Sequence, residues 1–391
     1  MSPLACAGAG ALLRRPRRTC APPLGSPPSR IPPTVTLLAG TALAVLVLLA
    51  PLLAATAQHP RDRLVDSLMA DYAAPDGPGA SVLVVQDGRT VLARGYGLAE
   101  VETRRAVRPE SNFRLASLSK QFTATAVMLL DADGRLRYDQ PVAELVPGLP
   151  AYARAVTLRQ LLTHTSGLPD YESFVPDAQT AQVHDADVPA LIARASGAKF
   201  APGTRYDYSN TGYALLALAV ERASGRRFAD FLRERIFVPS GMTATVAHEA
   251  GRSTVPHRAY GYTVDSAGVR RTDQSNTSAV LGDGGIYSSA VDLARWDAAI
   301  ERNALVSAEA QRLAWTPPAL PGGAPTTYGF GWFAERDAGT LRLTHHGESR
   351  GFTNAILRYP ERRLTVVVLT NRTGGAPWEI ARRIGDAYLA R

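Results

Sequence analysis

The chain has 391 residues, room for one large domain or two, and its 46% hydrophobic and 20% charged residues exclude a disordered or fibrous protein. Its formal net charge of +8 includes five arginines in the first 57 residues with no acid among them, which leaves +3 for the rest, so nucleic-acid binding loses its main support. Both cysteines, Cys6 and Cys20, fall in the same stretch, so the remainder has neither a disulfide nor a thiolate metal site.

Residues 1–57 read as an export segment. Arg14, Arg15, Arg17, Arg18 and Arg30 precede an apolar run from Val35 to Ala50, and Ala55-Thr56-Ala57 has the small-x-small form a signal peptidase needs, which places cleavage before Gln58. The alternative is an uncleaved anchor, because residues 35–57 are nearly long enough to cross a bilayer. In either case the body of the protein is expected outside the cytoplasm, periplasmic or secreted, with residues 35–57 as its membrane attachment in the second.

The body, residues 58–391, begins with a helix expected from Pro60 to Tyr72. Two β-rich runs, 81–85 and 90–93, flank Asp87-Gly88 and predict a hairpin. From Ser117 the apolar spacing turns helical, with Phe122, Ala126, Val127, Leu129 and Leu130 on one face until Asp133-Gly134. Residues 135–300 read as mostly helical segments broken by proline and glycine, the clearest being Gly212 to Ala223 and Ala290 to Ile300. Strands return at 341–346, 352–359 and 364–369, followed by a closing helix from Pro377. Strands at both ends around a helical middle predict an α+β fold: one antiparallel sheet flanked by helices and built from both chain ends, with an inserted helical lobe. The sheet lobe is expected over 58–115 and 280–391, the helical lobe over 116–279.

Three short patterns carry chemistry. Ser117-Leu118-Ser119-Lys120 puts a hydroxyl and an amine at i and i+3, neighbours on one helix face, a minimal nucleophile and base. Alone it is also what an exposed lysine one turn into a helix looks like. Tyr208-Ser209-Asn210 adds a phenol able to accept and return a proton, and an amide able to hold a carbonyl or steady the lysine; its bland reading is a turn capping the next helix. His345-His346-Gly347 ends a predicted strand, where Gly347 lets substrate lie close to the backbone and His345 can face the cleft. All three in this order arise by chance at about the one-per-cent level.

These residues resemble a known family: the class C β-lactamases, D-alanyl-D-alanine peptidases and related esterases, with elements S-x-x-K, Y-x-N and [K/H]-x-G. The resemblance covers roughly residues 65 to 391. It includes Phe113-Arg114-Leu115-Ala116 before the serine, the run from Leu161 to Leu168, Gly284 to Ser289, and Tyr328-Gly329-Phe330-Gly331-Trp332. It implies a β-lactamase/transpeptidase-like fold with an all-helical second lobe, and an acyl-enzyme serine hydrolase with Ser117, Lys120 and Tyr208 catalytic. It also implies substrate binding by Asn210, His345, Gly347 and Glu348, with an oxyanion hole from the amides of Ser117 and Glu348. No cofactor or metal is called for. By analogy His164 holds a loop, and the alternation of Tyr328 and Trp332 points to packing.

Gly347-Glu348-Ser349-Arg350-Gly351 is a literal G-x-S-x-G and competes for the nucleophile. A nucleophile elbow needs a histidine later in the chain and a strand-to-helix turn; none follows His346, and a strand is expected next. A metal hydrolase lacks H-E-x-x-H, and strand geometry points His345 and His346 to opposite faces. A binding or sensor protein that has lost turnover is opposed by the full set of serine, lysine, tyrosine and asparagine. The third element departs from the Lys-Thr-Gly of penicillin-hydrolysing relatives: His345, with a pKa expected near 6.5, replaces the fixed cation, and His346 replaces the hydroxyl. Short esters or amides without a recognised carboxylate are therefore expected to be better substrates than β-lactams or D-Ala-D-Ala peptides.

Overall fold

The computed structural model describes residues 59–176, 178–337 and 339–390. The leader, with its cleavage or anchoring, lies outside the described residues. Nine strands and six helices position the site: α1 Pro60–Leu68, β1 Ala80–Gln86, β2 Arg89–Tyr96, β3 Phe113–Arg114, α2 Lys120–Ala132, α3 Asn210–Ser224, β4 Val246–Ala247, α4 Leu281–Gly284, β5 Ile286–Ser288, α5 Ala290–Glu301, β6 Phe333–Asp337, β7 Thr340–Ser349, β8 Phe352–Tyr359, β9 Leu364–Thr370 and α6 Pro377–Leu389.

β1 and β9 are runs of valine and leucine buried on both faces, as the centre of a covered sheet requires. They pair antiparallel, with Val84 opposite Val366, in a six-stranded sheet ordered β6-β7-β8-β9-β1-β2. Alternation along the strands divides the core. Val82, Val84, Val366 and Val368 meet Val65 of α1 and Ile380 and Ile384 of α6. Leu83, Ile356, Val367 and Leu369 face the other way, into the large core shared with Phe122 and Trp296. Each fully buried side chain of this kind contributes roughly 1.5–3 kcal/mol. The expected hairpin turns at Asp87 and Gly88, whose φ of 51° and 74° are those of a type I′ turn.

A second, three-stranded sheet, β3-β5-β4, leads into the nucleophile. After β3 the chain turns through Ala116, held at φ 50°, into a 3-10 turn at Ala116–Ser119 and only then into α2. Ser117 thus precedes the α-helix by one turn. α2 is enclosed from Lys120 to Leu130, with Phe122 against Phe237 and Trp296 at ring distances of 5.4 and 4.7 Å. The middle of the chain carries, beside its helices, a hairpin of Tyr262–Asp265 and Gly268–Arg271. No helix among the described residues is long and apolar enough to cross a membrane.

The G-x-S-x-G stretch joins two strands. Ser349 is the last residue of β7, Gly351 turns at φ 79°, and β8 follows antiparallel. This strand–turn–strand has no nucleophile elbow in it.

Candidate active site

Lys120 is fully buried at the start of α2, and its ammonium position is met by three acceptors: Ser117 Oγ at 3.1 Å, Asn210 Oδ1 at 2.8 Å and the Asp283 carbonyl at 2.9 Å. An ammonium donates to all three. A neutral amine donates to Asn210 and Asp283 and accepts the proton of Ser117. The same contacts therefore serve both forms, with only the Ser117 bond reversing direction, as a group that takes and returns the serine proton requires.

Asn210 opens α3, and its backbone N–H donates to Asp170 Oδ2 at 2.8 Å. Thr211 bonds the Pro169 carbonyl and accepts from the Tyr171 amide, each at 2.8 Å, so Pro169-Asp170-Tyr171 is tied to the turn that carries Tyr208. His164 sits behind that turn, 1% exposed. Its Nδ1 accepts from the Ser209 amide at 3.2 Å and its ring lies 4.2 Å from that of Tyr208. Burial, then the charge of Lys120, holds its pKa well below the usual imidazole range. This neutral, loop-holding histidine matches what analogy implied. The half-buried Tyr208 ring lies 5.0 Å from Lys120 Nζ, and its hydroxyl makes no hydrogen bond among the described residues.

β7 closes the site from the sheet side. A Cβ on Gly347 would collide with the Leu115 carbonyl and come within 3.1 Å of the Ser117 amide nitrogen, so only glycine lets β7 lie against the nucleophile turn. Ser117, Asn210 and Glu348 line a cleft of about 260 Å³ together with Arg114, Tyr171, Glu172, Asp283 and Arg350.

His345 departs from the sequence expectation. It is 1% exposed and does not line this cleft. The His346 carbonyl, 2.7 Å from Nδ1, can only accept, so Nδ1 carries the proton and Nε2 accepts from the Tyr328 hydroxyl at 2.9 Å. Burial, then Lys120, pushes its pKa down to about 3. It is a neutral ring packed between strand and tyrosine, and offers a carboxylate no cation. Tyr328, expected only to pack, also donates to its Nε2. His346 faces out, its ring 5.8 Å from Phe333, so the two histidines do point to opposite faces.

Asp283 was not singled out from the sequence. Its carboxyl, 6% exposed, accepts from the Tyr171 hydroxyl at 2.8 Å. Burial, with Glu172 and Asp185 adding and Lys120 opposing, pushes its pKa up to about 8. Between pH 4 and 8 the folded chain thus keeps a proton that the unfolded chain, with an ordinary carboxyl near 3.9, has lost, and stability falls as pH rises through that window. Asp283→Asn removes the titration. Denaturant unfolding is expected to show the variant gaining on the wild type by up to about 1 kcal/mol per pH unit from pH 5 to 8. Parallel curves would refute the buried, protonated carboxyl.

A serine and a lysine joined by a hydrogen bond at the start of a buried helix, with a tyrosine and an asparagine from the turn into α3 and a sheet strand laid against the serine, define a β-lactamase-related type of serine hydrolase. The Beta-lactamase family model matches residues 61–390. The chain is 34% identical over 316 residues to penicillin-binding protein 4* of Bacillus subtilis, covering 77% of this chain and 70% of that one. It is 34% identical over 325 residues to a D-aminopeptidase of Cereibacter sphaeroides, covering 81% of this chain but only 60% of the relative's length. Among solved structures, the octameric penicillin-binding protein homologue from Pyrococcus abyssi superimposes with a TM-score of 0.74 at 28% identity, over 85% of this chain and 77% of that one. The chain belongs to the beta-lactamase family, and its fold is the β-lactamase/transpeptidase-like one.

Proposed function

We propose that the chain is an exported hydrolase that cleaves an ester or amide bond in two steps on Ser117. The observation that carries this reading is the three-acceptor cradle of Lys120, which fits the lysine both before and after it takes the serine proton. Ser117 Oγ attacks the carbonyl carbon as its proton passes to Lys120. The carbonyl oxygen, now negative, accepts from the amides of Ser117 and Glu348. Tyr208, beside Lys120, relays the proton to the leaving alcohol or amine, and water then releases the acyl group from Ser117 by the same path in reverse. Relatives named as a D-aminopeptidase and a penicillin-binding protein support an amide as readily as an ester. The arginine-flanked apolar leader supports export, and an N-terminus at Gln58 on the natively expressed protein is the expected sign of cleavage.

Nitrophenyl butyrate mixed rapidly with the purified protein is expected to give a burst of nitrophenol matching the enzyme concentration. Acid-quenched protein should carry the mass of one butyryl group. Turnover with no covalent species at any quench time would contradict the two-step reading.

A further inference from the structure

Arg114 stands in β3, three residues before the nucleophile and opposite Tyr287 of β5. It is 4% exposed, and its guanidinium carbon lies 6.0 Å from the Tyr287 ring centroid. Arg258 stacks on the same ring at 5.0 Å and, although its Nε is likewise enclosed without an acceptor, it pairs with Asp273 at 2.6 Å and donates to the Tyr287 hydroxyl at 3.0 Å. Arg114 has no such partner. Among the described residues nothing pairs with its guanidinium or accepts a hydrogen bond from it, and its Nε is fully enclosed without an acceptor. Two guanidiniums thus share one ring, but the Asp273 carboxylate pairs with Arg258 alone, which leaves the charge of Arg114 uncompensated among the described residues.

The neighbouring groups do not supply the missing anion. His248 packs on Tyr287 at 5.7 Å and is held below its ordinary pKa by burial and by these two arginines. Of the acids lining the cleft, Glu172 lies with Asn210 and Thr277, Glu348 with His346, and Asp283 with Tyr171. A guanidinium stays charged at any working pH, and taking it out of water without a counterion is costly, so an anion that reaches it supplies what the fold does not. Only Nε of its nitrogens is enclosed, so the two terminal nitrogens, which form the fork that grips a carboxylate, hold what exposure remains. The residue lines the same cleft as Ser117, and Asn354 fixes its backbone by donating to the Arg114 carbonyl at 2.9 Å.

We propose that Arg114 receives a carboxylate of the substrate, so that the preferred substrates are esters or amides bearing a carboxylate within reach of β3. This rests on the hydrolase reading of Ser117. It reverses the ranking drawn from the third element alone, because the cation missing at His345 is supplied from another strand.

The test compares nitrophenyl butyrate with two carboxylate-bearing esters: nitrophenyl hydrogen adipate, charged on the acyl chain, and carboxynitrophenyl butyrate, charged on the leaving group. The wild type is expected to prefer at least one charged ester by about tenfold in kcat/KM, and Arg114→Gln to lower that preference about 30-fold, with Arg114→Lys recovering part of it. Both rates come from one preparation, so a partly folded sample leaves their ratio intact and a merely structural arginine does not move it. An unchanged ratio in Arg114→Gln, or a wild type that prefers the neutral ester, overturns the proposal while leaving the hydrolase standing; no turnover of any ester overturns both. Should Arg114→Gln fail to fold, competitive inhibition of the wild type by adipate but not by adipamide supports the site, and equal inhibition overturns it.

Discussion

Lys120→Met is expected to lower kcat/KM for nitrophenyl butyrate by about 10³-fold while leaving the protein folded. The substitution removes the group placed to take the Ser117 proton. It also leaves Asn210 Oδ1 and the Asp283 carbonyl without their donor, at roughly 1–3 kcal/mol for each buried acceptor. Against that stands the removal of a fully buried polar amine, whose own desolvation cost disappears with it. The two nearly cancel, so thermal unfolding should shift little as activity collapses. A variant within tenfold of the wild type would mean that the serine proton leaves by another route.

Gly347→Ala is expected to cost about 10²-fold in kcat and to destabilise the protein as well. The added methyl has nowhere to go: the atoms it meets include the Leu115 carbonyl and the Ser117 amide, and neither is the free end of a flexible side chain. Either β7 moves out, carrying the Glu348 amide with it, or the nucleophile turn moves in. A displacement of about 1 Å is enough for a loss of that size. The expected signature is a fall in kcat larger than any rise in KM, together with a lower melting temperature. Wild-type kinetics would show that β7 does not set the geometry of the nucleophile.

Much of this was legible before any coordinates. β8 and the start of α6 fall where the sequence puts them, and Ser117, Lys120 and Asn210 meet as the first two short patterns imply. What was hidden has physical causes. The third acceptor of Lys120 is a backbone carbonyl, which any residue at 283 would provide, so no side-chain pattern announces it. The neutral state of His345 depends on burial by elements distant in sequence and on the charge of Lys120. Arg114 was visible as part of a run, but its want of a partner emerges only once β3, β5 and Arg258 are assembled around Tyr287. Asp170 and Thr211 act through backbone amides and carbonyls of loops that sequence separates by some forty residues.

The central claim is that Ser117, and not Ser349 of the competing G-x-S-x-G, is the nucleophile. Ser349 ends β7 with a buried hydroxyl that has no hydrogen-bond partner among the described residues, and Ser117 has Lys120 at 3.1 Å. The direct measurement is to label the protein with a fluorophosphonate probe, digest it and locate the adduct by mass spectrometry in the wild type, Ser117→Ala and Ser349→Ala. The adduct is predicted on Ser117 in the wild type and in Ser349→Ala, and absent from Ser117→Ala. An adduct on Ser349, or labelling that survives in Ser117→Ala, would contradict the account.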